Sequence, residues 1–231
     1  MLGGFVVTHD LNKSKPKPQP STVPTAVTDV SAIAKTAIAL EYASLRHKSH
    51  CPLGMYIVPS QGNLLHWDGV FFIHQGYYAD AVLKFRLIFP PNYPNKPPAV
   101  YFVTDIFHPM ISQNGDFNLI PRFRPWRPKE HHVFDVLHWI KAAFKKKALD
   151  GFQESECLNK EAYRYHESTS SFAALATQSS LLSLSPSALF DKDHPSMGGR
   201  TQGGFVFEEI SPRVLQEGRK KLGIQPWEKG L

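Results

Sequence analysis

Between positions 30 and 45 apolar residues recur at helical spacing. Val30, Ile33, Ala34, Ala37, Ile38, Tyr42 and Leu45 share a face, and Glu41 is the one charge in the stripe. This predicts a helix capped by Thr28 or Asp29 and ended by Pro52 and Gly54. The pattern then shortens. Met55 to Val58, Leu64 to Ile73, Ala81 to Phe89 and Ala99 to Val103 read as strands, the third alternating Val82, Lys84, Arg86 and Ile88 against Leu83, Phe85, Leu87 and Phe89. Gly62-Asn63 and Gln75-Gly76 suit short turns, so the strands form an antiparallel meander. Val133, Val136, Leu137, Ile140 and Phe144 restore helical spacing, and Lys145, Lys146 and Lys147 are expected in the last turn of that helix. A further helix is expected near Asn159, with Ala162 and Tyr165 inward, and another after Ser211-Pro212, as cap and first helical residue, through Leu222. The class is α+β: an N-terminal helix, a four-stranded antiparallel meander, then C-terminal helices and an extension.

Composition divides the chain further. Prolines at 16, 18, 20 and 24 mark residues 1–26 as a disordered, Pro-rich tail. Residues 27–166 form the main domain. Residues 167–204 are Ser- and Gly-rich, with eight serines over 168–187, and are expected to have low order apart from a helical extension over Phe172 to Leu175. Residues 205–231 form a strand and helix extension. Two cysteines in 231 residues exclude a disulfide scaffold and point to a reducing, cytoplasmic setting. No apolar run approaches the roughly 20 residues of a membrane span, and none reads as a secretory signal. The net charge of +6 is too small to argue for nucleic acid.

One block carries more information than the rest. Pro90-Pro91-Asn92-Tyr93-Pro94-Asn95-Lys96-Pro97-Pro98 lies between the third and fourth strands. His108-Pro109, the turn Asn114-Gly115 and Trp126-Arg127-Pro128 follow in order before a helix. The joint spacing resembles the ubiquitin-conjugating (UBC) fold over about residues 30–166. That family has a PPxYPxxPP-type loop, a His-Pro-Asn, an Asn-Gly turn, a catalytic cysteine ten residues after the His, and a Trp-x-Pro eight residues after the cysteine. Counted from His108, the cysteine position falls on Asn118, and eight further on stands Trp126. The third residue of His-Pro-Asn is Met110. The resemblance thus makes His108, Pro109, Met110 and Asn118 vestigial active-site positions and assigns no catalytic residue. Asparagine cannot form a thioester, which needs a thiolate. A thioether in place of the oxyanion-stabilising amide removes a contribution of roughly 3 kcal/mol.

Further stretches narrow the resemblance. Leu158-Asn159-Lys160-Glu161-Ala162-Tyr163 is similar to the start of the family's third helix. Gly54 to Ser60, Leu65 to Phe85, Leu189-Phe190-Asp191 and Phe205-Val206-Phe207 before Ser211-Pro212-Arg213-Val214 together resemble the fused-toes / AKT-interacting protein family, an inactive UBC variant with a C-terminal extension. The resemblance implies a non-catalytic adaptor subunit without cofactor. Its partners would be a Hook-type coiled-coil protein and an FHIP-type subunit. Through dynein and dynactin such a complex links endosomes or vesicles to microtubule transport. The alternatives are a ubiquitin-pathway module acting non-covalently and a conjugating enzyme relocated to Cys157.

Other clusters read as structural. Cys157 is taken as a small buried or loop cysteine. His47, His50 and Cys51 lack a fourth ligand nearby, so no metal is assigned. Residues 119–147 hold eight Lys/Arg against two acids, a solvated face better suited to an acidic protein partner than to nucleic acid. Phe123, Trp126, Phe205 and Phe207 are the candidate partner-binding residues, and Trp139 belongs either to an interface or to the core. The extension is expected to dock on its own domain or to help form a groove for coiled-coil helices.

Overall fold

The computed structural model describes residues 30–164, 167–190, 205, 207 and 210–223. Helix α1 (Ala32–Ser44) is capped by Ser31, whose hydroxyl accepts from the Ala34 amide at 3.1 Å. Thr28 and Asp29, the residues expected as caps, lie outside the described residues, as do the tail 1–26 and Tyr165. Strands β1 (Met55–Ser60), β2 (Asn63–Phe72), β3 (Val82–Ile88) and β4 (Ala99–Phe102) form one antiparallel sheet in sequence order. The meander read from the alternation is the one observed.

Direct cross-strand pairs place side chains on a common face. Trp67 opposes Leu87, Gly69 opposes Phe85, Phe71 opposes Leu83, and Phe85 opposes Phe102. This is the core face, and all but Gly69 of these residues are buried hydrophobics. Gly69 is needed there because any Cβ would collide with the Phe85 ring lying across it. Helix α2 (Val133–Ala143) covers this face with Val133, Val136, Leu137 and Ile140, and Phe144 meets Phe71 and Phe102 edge-on or tilted at 5.7 and 5.9 Å.

The three lysines do not close α2. The helix stops at Ala143, where Phe144 turns its ring into the core, and Lys141 is the only base in the last turn. Lys145 precedes a separate short helix, α3 (Lys146–Leu149). Helix α4 (Lys160–Tyr163) starts at Asn159 as expected, with the Asn159 carboxamide accepting from Ala162.

The serine-rich stretch departs most from expectation. Residues 169–183 are a helix, α5 (Thr169–Ser183), followed by α6 (Pro186–Phe190). Phe172, Ala176, Ser180 and Ser183 line the buried face at helical intervals. The buried hydroxyls are satisfied internally: Ser180 donates to the Ala176 carbonyl at 2.9 Å and Ser183 to the Ser180 carbonyl at 2.6 Å. Ser183 Oγ also accepts from the Val82 amide of β3 at 3.0 Å. Small side chains let α5 approach the sheet edge, and a residue count by type conceals this i, i+4 stripe. The domain therefore extends beyond residue 166. Residues 191–204 lie outside the described residues.

This packing buries both faces of the first half of β3. Lys84, on the outer face, is buried, and its ammonium donates to the Leu189 carbonyl at 2.6 Å. The same ammonium sits 5.4 Å from the centre of the Phe207 ring, and Phe207 meets Phe72 edge-on at 6.4 Å. The extension thus touches its own domain at Phe207. Neither Phe205 nor Phe207 carries strand structure. Helix α7 (Pro212–Lys221) begins at Ser211 as expected.

One polar network joins three parts of the frame. Glu41, buried on α1, accepts from Tyr93 Oη at 2.8 Å, from His132 Nδ1 at 3.0 Å and from the Val133 amide at 3.0 Å. Replacing Glu41 with alanine leaves the buried Tyr93 hydroxyl and Val133 amide without that acceptor. It is expected to cost about 3 kcal/mol in urea unfolding, against about 1 kcal/mol for Tyr93→Phe. Equal losses for the two variants would contradict this role.

Candidate functional site

The segment 108–118 leaves β4, turns and runs back beside it. His108 is fully buried. Its Nε2 donates to the Ala143 carbonyl at the end of α2 at 3.1 Å, and its Nδ1 accepts from the Met110 amide at 3.0 Å. The ring lies against Phe144 at 4.5 Å and Tyr78 at 5.4 Å. Burial holds its pKa down to about 3 from 6.5. Pro109 accepts from the Asn159 amide through its carbonyl at 3.0 Å, tying the segment to the start of α4. Met110 is buried and its carbonyl accepts from the Asn118 amide at 2.9 Å.

Gly115, at φ 93°, closes the intervening turn. A Cβ there would collide with the Phe102 carbonyl, so only glycine lets the turn lie against the end of β4.

Asn118 is half-buried, and both ends of its carboxamide are engaged. Nδ2 donates to the Glu156 carbonyl at 2.7 Å, and Oδ1 accepts from the Ile120 amide at 2.9 Å. Trp139 Nε1 donates to the Asn118 backbone carbonyl at 3.4 Å. The structure therefore brings His108, Pro109, Met110 and Asn118 into one hydrogen-bonded unit, braced by α2 and by the 3₁₀ turn Glu154–Glu156. Trp139, half-buried, serves this unit.

Cys157 follows that turn and is buried, with Sγ donating to the Gln153 carbonyl at 3.3 Å. Burial pushes its pKa up to about 11. At neutral pH it is a thiol, the opposite of an activated nucleophile. The unit holds a carboxamide, an inert thioether, a neutral imidazole bonded through both nitrogens and a protonated thiol. Hydrogen bonds to backbone hold the imidazole, the carboxamide and the thiol in place.

The candidate partner-binding residues separate. Phe123 is core, 6% exposed, and meets Trp126 tilted at 5.6 Å and His131 edge-on at 5.2 Å, so it presents no binding surface. Trp126 is half-buried and donates through Nε1 to the Pro94 carbonyl at 2.7 Å, clamping the following loop to the proline-rich loop. Phe205 and Phe207 are half-buried. His50 stacks on Phe134 at 4.2 Å, while Cys51 Sγ donates to the Met55 carbonyl at 3.4 Å. Among the described residues no group of three or more His, Cys, Asp or Glu is placed to hold a metal, and no helix is long and apolar enough to cross a membrane.

Sequence reasoning missed the Glu154–Glu156 turn as the partner of Asn118. The acceptor is a backbone carbonyl, which leaves no mark on residue type. It also missed Glu41 as an anchor, although a lone acid in an apolar stripe was the visible signal.

A family model for ubiquitin-conjugating enzymes matches residues 37–179, from α1 through most of α5. The chain belongs to the ubiquitin-conjugating enzyme family. Among curated proteins it is 32% identical over 175 residues to AKT-interacting protein of Danio rerio, covering 73% of this chain and 55% of that protein. It is 39% identical over 94 residues to a crossbronx-like protein of Drosophila mojavensis, covering 39% of this chain and 37% of that protein. The chain thus spans between about a third and about half of the length of these relatives. They bear out the resemblance to the fused-toes / AKT-interacting protein family.

Because His108 titrates near 3 when folded and near 6.5 when unfolded, the unfolded chain binds the extra proton between those values. Stability is full above pH 6.5 and falls as the pH drops from 6.5 towards 3. Between pH 7 and 5.5 the loss from His108 is expected to be about 1 kcal/mol in urea unfolding, and His108→Gln is expected to remove that part and leave the contribution of His66, whose pKa burial also lowers. A wild-type stability flat across that range would contradict the buried neutral ring.

Proposed function

We propose that the protein is a non-catalytic member of its family, working as a binding subunit. The observation that carries this is the bonding of Asn118. It stands at the position where the family's spacing calls for cysteine, and its carboxamide joins two segments of the frame. Met110 offers no donor at the neighbouring position, and Cys157 is buried as the thiol. The amide tethers and the apolar core keep the frame intact without the thiolate chemistry it would otherwise support.

The name of one relative and the family resemblance support a protein partner. That relative is named for interacting with AKT, and the fused-toes resemblance implies a Hook-type coiled-coil protein together with an FHIP-type subunit. In that reading the protein is a cytoplasmic adaptor subunit that helps couple endosomes or vesicles to dynein. The exposed bases of residues 122–147 suit an acidic protein partner, which they would steer electrostatically.

Reconstitution tests this directly. The full chain, mixed with the C-terminal coiled coil of a Hook-type protein and an FHIP-type subunit, is expected to elute with them as one species. Labelled ubiquitin titrated onto the same chain is expected to give no saturable shift. Separate elution together with saturable ubiquitin shifts would replace the adaptor reading with that of a non-covalent ubiquitin-binding module.

A further inference from the structure

A cleft of about 580 Å³ opens beside the end of β4, between the residues that leave that strand, the 111–115 turn and the junction of α5 with α6. Its size falls within the roughly 300–1,000 Å³ of clefts that take a small ligand or a short stretch of peptide. One wall comes from the serine-rich helix. Ser183 fixes the end of α5 to the Val82 amide of β3 at 3.0 Å, and the chain turns at Leu184 into α6.

The lining selects the charge of the ligand. The chain carries 26 Lys and Arg and 11 His, yet none of the sixteen residues around the cleft is one of them. An anionic ligand finds no countercharge there. Six of the lining residues carry hydroxyls, Thr104, Ser112 and Ser187 among them. The single charge is Asp105, which is exposed and has no hydrogen bond or ion pair among the described residues. Ile106, Leu182 and Ala188 supply apolar wall. Carboxylate and hydroxyl oxygens beside apolar wall suit a long side chain that ends in a cation. Its methylene stem lies on the apolar part, and its ammonium or guanidinium donates to the oxygens. A bare metal ion is not served, since no group of three His, Cys, Asp or Glu is assembled among the described residues.

We propose that this cleft docks an extended segment of a partner protein that carries lysine or arginine, with the basic head held at Asp105 and the hydroxyls around it. The net charge of +6 opposes the approach of such a segment, so the attraction is local to the cleft and the binding weak. The inference stands apart from the adaptor reading, whose acidic partner would meet the bases of residues 122–147, none of which lines the cleft.

The test is amide-shift mapping by NMR on the full chain with two acetylated hexapeptides, one alternating lysine with alanine and the other glutamate with alanine. The lysine peptide is expected to give saturable shifts at residues 104–107, 112–115 and 185–188. The glutamate peptide is expected to leave those amides still, although the overall charge of the chain favours it. Asp105→Asn is expected to weaken the lysine peptide by about fivefold, the upper worth of a partly exposed ion pair, with the urea midpoint unchanged. Ser187→Arg, which brings a base into the lining, is expected to weaken it at least as much. Three outcomes overturn the proposal. One is the absence of saturable shifts at these residues with the lysine peptide. Another is equal shifts there with the glutamate peptide. The last is lysine-peptide binding by Asp105→Asn as tight as that of the wild type.

Discussion

The carboxylate of Glu41 accepts hydrogen bonds from three donors that belong to different parts of the chain. Tyr93 brings the proline-rich loop, His132 and Val133 bring the start of α2, and Glu41 itself brings α1. A buried carboxylate is tolerable only when its acceptors are filled, and here the filling fixes where α2 begins. The position of α2 then decides the rest. Its last residues offer the Ala143 carbonyl to His108, and Trp139 reaches the Asn118 carbonyl. Without the anchor at one end of α2, the residues at the other end lose their reference.

What that frame holds is a set of side chains with their valences closed. In a catalytic site polar groups are kept available for a substrate or a developing charge. The side chains of His108 and Asn118 are bonded to backbone groups instead. The imidazole bonds at both nitrogens, the carboxamide at both ends, and the nearby thiol is buried against a carbonyl. Each bond adds modestly to stability and removes a group from chemistry.

The meander, α1, α2, α4 and the start of α7 were legible because local rules and tertiary packing agree there. Alternation matched the pleat, and Ser211-Pro212 and Asn159 are helix starts by their own chemistry. The spacing from His108 through Asn118 to Trp126 was legible as a family pattern. The serine-rich helix was not, because composition suggested a linker while the buried stripe of Phe172, Ala176 and Ser180 fitted a small-residue contact. Phe123 was taken for a surface anchor because an aromatic among bases looks the same in sequence whether it points in or out. The lysines after Phe144 were assigned to α2 because nothing in residue type announces that Phe144 would turn into the core and end the helix.

The central proposal is that Asn118, at the position where the family's spacing calls for cysteine, is a structural joint and that Cys157 does not act as a nucleophile in its place. The decisive measurement is a charging reaction with activating enzyme, ATP and ubiquitin, resolved without reductant, on the wild-type chain and on Cys157→Ser. The account predicts no thiol-sensitive adduct with either protein. An adduct on the wild type that disappears in Cys157→Ser would show that the family's chemistry survives on a different cysteine, and the account would be wrong.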